Sequence, residues 1–419
     1  MARKQGTKSV PALINDKAAE TVTQRVELVL VHIEKSKKGD KILATLGNLR
    51  AMLNHYGIVC RYDVIKKRLI HIIPGEEFST ENEEEAALAC IYSCMKENRI
   101  PVDGYKLYLV RIADENQFNP VLQYVRSKPW DRVDRMPEFC ATIESPETEA
   151  KNLLIRRWMI TAMSMALYNG IDGAGCLVLQ GPPDLGKTWW VKKLVPQEIR
   201  ENLIRTDATV DPGDKDQVSQ VISYWIVELG EIGATFRKAE LQALKGFITR
   251  DHDTMRRPYG EGDKRFPRRT ALIASVDQFI YLIDTAGNRR FWTIPCTKIN
   301  SYHEIDMQQV WAQVLSMIEA HGETWRLTQV EKDHIKRINE EHMQIDPIME
   351  MIQEKYKWEE LAMVARWETA TKIGEEIGLI DLGHRETRLI TGHVLKLNGG
   401  QKKRTGDKRY LLVPALRPS

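Results

Sequence analysis

The densest chemical signal in the chain is Cys176-Leu177-Val178-Leu179-Gln180 followed by Gly181-Pro182-Pro183-Asp184-Leu185-Gly186-Lys187-Thr188 and then Trp189. From Gly181 to Thr188 the spacing is G-x-x-x-x-G-K-[S/T], that of a phosphate-cradling P-loop. An apolar, β-rich run leads into it, and residues 189–194 read as the opening of a helix. Gly181 and Gly186 let the backbone curl until its N–H groups face phosphate oxygens, and a helix start adds its positive dipole end. Lys187 is the candidate for the β- and γ-phosphates and Thr188 for Mg2+. Pro182, Pro183, Asp184, Leu185 and Trp189 complete the candidate nucleotide-binding stretch, for which ATP with Mg2+ is the expected ligand.

A second anchor lies about forty residues on, in Tyr224-Trp225-Ile226-Val227-Glu228-Leu229-Gly230-Glu231. An apolar strand running into carboxylates is how such an ATPase holds Mg2+ and orients the attacking water. Glu228 or Glu231 is the metal-side acid, and the other is the catalytic base. Downstream, Thr270 to Ser275 forms an apolar strand, and Asp277 at its end could touch the γ-phosphate. Arg289 and Arg290 precede a buried aromatic run, either as a surface pair or as groups that reach a neighbouring subunit's nucleotide.

Two stretches carry concentrated positive charge. Residues 250–269 hold seven Lys/Arg and four Asp/Glu, with Tyr259 and Phe266 flanking a Gly260-Glu261-Gly262 tip, which predicts a hairpin. Basic side chains interleaved with aromatics suit a phosphate backbone with stacked bases, so Arg256, Arg257, Tyr259, Lys264, Arg265 and Arg268 are candidate DNA contacts; a solvated charged loop is the other reading. Residues 384–409 hold eight Lys/Arg against Glu386 and Asp407, with Lys402, Lys403 and Arg404 in a basic turn.

The elements that must position these groups follow from pattern. Residues 1–24 are polar and aperiodic and read as a mobile tail. Residues 25–115 form a small helical or α+β domain, with helices at 41–56 and 82–98 and strands at 58–62 and 68–73. Residues 116–300 form the ATPase core, opened by helices at 121–127 and 147–168 with the run 128–136 as a linker containing a packed Trp. Residues 236–249 are a helix whose Leu241, Leu244, Phe247 and Ile248 face inward. A helical extension spans 301–360, and 361–419 reads as helix, helix, basic hairpin, a winged-helix organisation. The predicted fold class is thus α/β, a P-loop core between two smaller domains.

Composition sets the frame. The 419 residues include 42% hydrophobic and 28% charged side chains with a net charge of +3, ordinary for a soluble chain. No apolar run approaches the ~20 residues of a membrane span, and no apolar segment follows the basic N-terminus as a secretory signal requires. Six cysteines lack C-x-x-C spacing, which implies a reducing, cytoplasmic setting and no zinc.

Taken in order, the run Lys128-Pro129-Trp130-Asp131-Arg132-Val133-Asp134-Arg135, the P-loop, Val227 to Glu231, Leu244-Lys245, Asp253 to Tyr259 and Gly287-Asn288-Arg289-Arg290-Phe291-Trp292 resemble the virulence-associated protein E family. That family is similar to superfamily 3 helicases and poxvirus-type primase-helicases of phages and mobile elements, and the resemblance covers residues 115–345. It implies an AAA+ ATPase, a hexameric ring that moves single-stranded DNA through its centre and acts as a helicase on forked DNA in a bacterial host's cytoplasm. It implies that Lys245 and the residues 256–269 supply a pore hairpin, and that Arg289 and Arg290 act across the subunit boundary. Asp277 stands where the family usually has Asn, and the first 115 residues show no primase-type acidic constellation, so a separate primase or host replication protein is an expected partner. An ATP-switched initiator or loader that binds duplex DNA is the alternative.

Overall fold

The fold is a computed structural model that describes residues 27–37, 39–79, 81–230, 238–256, 263–282, 287–343, 347–380 and 382–417. Its contacts divide the chain into one unit ending at His342 and a second beginning at Met343.

The first unit opens with α1 (Leu46–Tyr56), β1 (Val59–Asp63), β2 (Arg68–Ile72), α2 (Glu83–Glu97), α3 (Tyr105–Glu115) and β3 (Gln117–Phe118). Helix α1 starts later than its sequence pattern suggests, because the Thr45 hydroxyl accepts from the Asn48 N–H and Lys41–Ile42 instead pairs with Ile33–Glu34. Helix α3 escapes the pattern altogether: apolar and aromatic residues fill nearly every position from Tyr105 to Ile112, which blurs the helical period. Strand β1 pairs antiparallel with β2 and parallel with β3. Leu49, Met52, Leu53, Ile91, Met95 and Leu109 make the core of this module.

The centre of the unit is a five-stranded parallel sheet. Its strands are β4 (Cys176–Gln180), β5 (Ile204–Ala208), β6 (Ile226–Leu229), β9 (Ala271–Val276) and β10 (Phe291–Pro295), lying in the order β10-β4-β9-β6-β5. Strands β7 (His252–Arg256) and β8 (Asp263–Pro267) form a separate antiparallel hairpin between β6 and β9 in sequence. Strands β4 and β6 are buried throughout, which is why they read as apolar runs rather than as alternation, with Gln180 ending β4 and Glu228 set inside β6. Helix α4 (Thr148–Leu167) packs on the sheet, helix α7 (Met307–Glu319) packs on α4, and helix α8 (Gln329–Glu341) packs on β10. Four buried tryptophans lock these layers, each with its indole N–H satisfied: Trp158 donates to Leu272 O, Trp225 to Ala162 O, Trp311 to Leu194 O and Trp190 to Thr142 Oγ1.

The expected linker at 128–136 is a tight, pinned turn. Three buried glutamines of α7 hold it: Gln308 donates to Lys128 O, Gln309 donates to Pro129 O and accepts from the Asp131 N–H, and Gln313 accepts from the Arg135 N–H. Arg135 grips Asp131 through two bonds of 2.7 and 2.6 Å, and Arg132 sits at φ 68.

The second unit runs α9 (Pro347–Lys355), β11 (Ala365–Thr369), α10 (Ala370–Glu376), α11 (His384–Leu397), β12 (Lys402–Thr405) and β13 (Lys408–Pro414). The strands form an antiparallel sheet in the order β11-β13-β12 around Ile352, Tyr356, Ile373, Ile390 and Val413. Strand β11 stands where the sequence reading places no element: Ala365-Arg366-Trp367-Glu368 alternates apolar and charged residues, but over too few positions to stand out beside the helical pattern that follows. Among the described residues no helix is long and apolar enough to cross a membrane.

Candidate functional site

The glycine-rich loop leaves the C-terminal end of β4, between β10 and β9, and runs into α5 (Lys187–Lys192). Both glycines are dictated by close approach. A Cβ on Gly181 would lie 2.7 Å from Cys296 O, and one on Gly186, which sits at φ 89, would lie 2.8 Å from Ser301 Oγ. Asp184 takes the left-handed region at φ 60 without being glycine. Pro182, Pro183 and Asp184 are exposed and Leu185 is half-buried, so the loop crest is open to a ligand.

Lys187 is 6% exposed. Its Nζ donates to Gly181 O at 2.8 Å and Pro182 O at 2.7 Å and pairs with Asp277 Oδ1 at 2.8 Å. Asp277 follows the end of β9, half-exposed, so sheet order alone carries it to the loop lysine. Trp189, in the first turn of α5, is 50% exposed with Lys192 Nζ 5.2 Å from its ring centre.

Two strands from the loop, Glu228 on β6 is fully buried. Thr188 Oγ1 donates to its Oε1 at 2.8 Å, and Ser275 Oγ on β9 donates to the same oxygen. Its Oε2 is buried with no hydrogen-bond partner. Burial pushes the Glu228 carboxyl above its ordinary range, the Ser275 and Thr188 hydroxyls pull it back, and the charge of Asp207 at the end of β5 adds to the upward push. An unpartnered carboxylate oxygen beside a threonine hydroxyl fits a hard divalent cation, which would satisfy the one and compensate the other. Among the described residues no group of three His, Cys, Asp or Glu could hold a metal by itself, so Mg2+ here would keep water or phosphate oxygens as its remaining ligands. Ser275 was missed as a site residue; its signal is one hydroxyl inside an otherwise apolar run. Glu231, the other candidate acid, lies outside the described residues.

Arg289 and Arg290 lie at the other end of the sheet. Strand β10 runs parallel to β4 with Phe291 opposite Cys176 and Pro295 opposite Gln180. The arginines therefore precede the strand where the glycine-rich loop follows it, about 16 Å apart along the strand direction. Arg289 is exposed, and Arg290 is half-buried with its Nε unpartnered.

The basic hairpin is present as β7 and β8, joined in register from His252 opposite Pro267 to Arg256 opposite Asp263. Lys264 and Arg265 are exposed on it. Three expectations are corrected. Arg268 is 1% exposed and sits at the hairpin's foot, where it bonds both oxygens of Asp253 and Phe247 O and stacks 3.9 Å over the Phe247 ring. Lys245 is likewise 1% exposed on α6 (Lys238–Ile248), so neither cation faces a polymer. Phe266 is buried and cannot stack on a base. The side chain of Arg256, with Arg257, Tyr259 and the hairpin tip, lies outside the described residues. In the second unit Lys402, Lys403 and Arg404 are exposed on β12, with Lys403 Nζ 4.7 Å from the Trp367 ring centre.

Residues 125–344 match the virulence-associated protein E-like domain. No curated protein matches the chain. Among solved structures, the apo structure of the NrS-1 C-terminal region is similar at 14% identity over 87% of this chain and 98% of that one, with a TM-score of 0.44. The A form of the same region gives 0.46 at the same identity and coverage.

Proposed function

The chain belongs to the virulence-associated protein E-like family, and from that premise we propose that it is a Mg2+-dependent ATPase of the AAA+ type that moves DNA in the replication of a phage or mobile element. The observation that carries this reading is the alignment of Lys187, Thr188 and Glu228 at one end of a parallel sheet, with a buried, unpartnered Glu228 oxygen beside the Thr188 hydroxyl. In this reading the loop N–H groups and Lys187 bind the triphosphate, and Lys187 exchanges its bonds to Gly181, Pro182 and Asp277 for phosphate oxygens. Thr188 and Glu228 would hold Mg2+, whose charge offsets that of the phosphates. Asp277, released from Lys187, is placed to sense the terminal phosphate. Arg289 serves a neighbouring copy, because about 16 Å of strand separates it from its own loop. Lys264 and Arg265 contact the DNA backbone.

The test is ATP turnover with and without single-stranded DNA, alongside strand separation on a forked duplex. DNA should accelerate turnover, and the fork should open. Lys187→Ala should lower turnover by roughly a hundredfold or more while DNA binding persists. Turnover indifferent to DNA with no fork opening defeats the proposal.

A second reading is favoured by the second unit, whose helix, strand, two helices and basic hairpin follow winged-helix order. Arg385, Arg388 and Lys396 are exposed along α11, as are Lys402 and Lys403 on β12. There the ATPase switches an initiator that grips duplex DNA while another enzyme separates the strands. A footprint on one duplex sequence without fork opening would select it.

A further inference from the structure

The three strands of the second unit bury one of their two faces in its core. Leu411 and Val413 of β13 are buried there with Ile373 of α10 and with Ile390 and Val394 of α11. Side chains alternate along a strand, so Lys408, Tyr410 and Leu412 point away from those helices. The register adds to them. Thr369 of β11 and Lys403 of β12 stand opposite Tyr410, Trp367 stands opposite Leu412, and Thr405 stands opposite Lys408. Trp367, Tyr410 and Leu412 are half-buried, Lys403 and Lys408 are exposed, and none of the five belongs to the core cluster. Lys403 Nζ lies 4.7 Å from the Trp367 ring centre and 5.9 Å from that of Tyr410, so one ammonium serves two rings. The outer face of an antiparallel sheet is ordinarily polar. This one carries two aromatic rings and a leucine among lysines.

We propose that this outer face is a platform for a single-stranded polynucleotide, with bases stacked on Trp367 and Tyr410 and phosphates paired with Lys403 and Lys408. Charge names the occupant. Residues 402–409 hold Lys402, Lys403, Arg404, Lys408 and Arg409 against Asp407 alone, all of them exposed. Such a surface attracts a polyanion and disfavours a plain apolar or cationic partner. The rings name its form. Trp367 and Tyr410 are diagonal neighbours across β11 and β13, a spacing of about 7–8 Å. Duplex bases stack on one another at about 3.4 Å along each strand, so only a strand with its bases splayed can lay them on this face. The platform shares no residue with the β7–β8 hairpin or with the cations of α11. Binding there needs no hydrolysis, so the proposal stands apart from the ATPase reading.

The test uses the full chain, without nucleotide, and oligothymidylate in which some bases are replaced by photoreactive 5-iodouracil. Irradiation should attach the strand at Trp367 or Tyr410, located by mass spectrometry of the digested adduct. Trp367→Ala with Tyr410→Ala should weaken oligothymidylate binding roughly tenfold or more in fluorescence anisotropy, and Trp367→Phe with Tyr410→Phe should recover most of the loss. Neither ring belongs to the core, so the thermal melt should stay in place, whereas a purely structural role would lower it. Lys403→Ala should make the fall of log affinity with log salt shallower by about 0.7. Oligouridylate of the same length tells RNA from DNA: the tighter strand, released by the same ring variants, is the occupant. Where the double alanine variant does not fold, the adduct on the wild-type chain decides. Three results overturn the proposal: no adduct at either ring, a duplex that displaces the adduct as well as a single strand does, or ring variants that release polyglutamate while holding the oligonucleotide. A chain that binds the strand here yet hydrolyses no ATP defeats the proposed function alone.

Discussion

Glu228 holds a carboxylate where water does not reach, with one oxygen saturated by two hydroxyls and the other unsatisfied. Glu228→Gln keeps an oxygen for Thr188 and Ser275 while discarding the buried charge, so the variant should melt no lower than the wild type and still bind ATP. Its turnover should fall by about a hundredfold to a thousandfold, and calorimetry beside a kinetic assay checks both halves. The pH dependence has a definite sign. The folded carboxyl titrates above its ordinary 4.5, so between that value and the raised one the folded state binds the extra proton, and stability falls as pH rises through this window. A cation there competes with that proton. Mg2+ affinity should therefore weaken as pH falls toward the raised value, with proton release on binding visible as a buffer-dependent heat.

At the scale of elements, the hairpin depends on its foot. Arg268 and Asp253 are both 1% exposed at their side chains, so Arg268→Ala strands a buried carboxylate and should cost about 3–5 kcal/mol in a denaturant melt. Replacing both partners with apolar residues should recover much of that loss, which distinguishes charge stranding from lost packing. The foot also shows what could be read in the sequence. The strands β4, β6 and β9, the helix after the loop and the hairpin were legible because largely apolar runs and glycine signals report local geometry. That Arg268 and Lys245 turn inward was not legible, because a cation in a basic stretch looks the same whether it meets solvent or a buried partner from another element. The 128–136 turn stayed hidden for the same reason, since the glutamines that pin it lie about 180 residues away. Ser275 needed the neighbouring strand to give it a partner.

For the whole molecule, the arrangement of Lys187 and Arg289 at opposite ends of one sheet is decisive. If both are needed at one nucleotide, two disabled copies can rescue each other. Mixing Lys187→Ala with Arg289→Ala should restore a substantial fraction of turnover, because some contacts in the mixture unite an intact lysine with an intact arginine. Either variant alone should stay inactive. A mixture no more active than its components would place Arg289 outside the chemistry.

The direction of the central strands has a geometric corollary. A contact that joins the loop end of one copy to the arginine end of another uses two different surfaces, so it is heterologous and head-to-tail wherever each copy meets a different neighbour at each end. An antiparallel two-fold pair makes the contact twice and stops there, whereas head-to-tail contacts go on adding copies. They either close into a cycle in which every copy points the same way, or continue as a helical filament. The assembly then has two unlike faces, and anything threaded along its axis meets them in a fixed order.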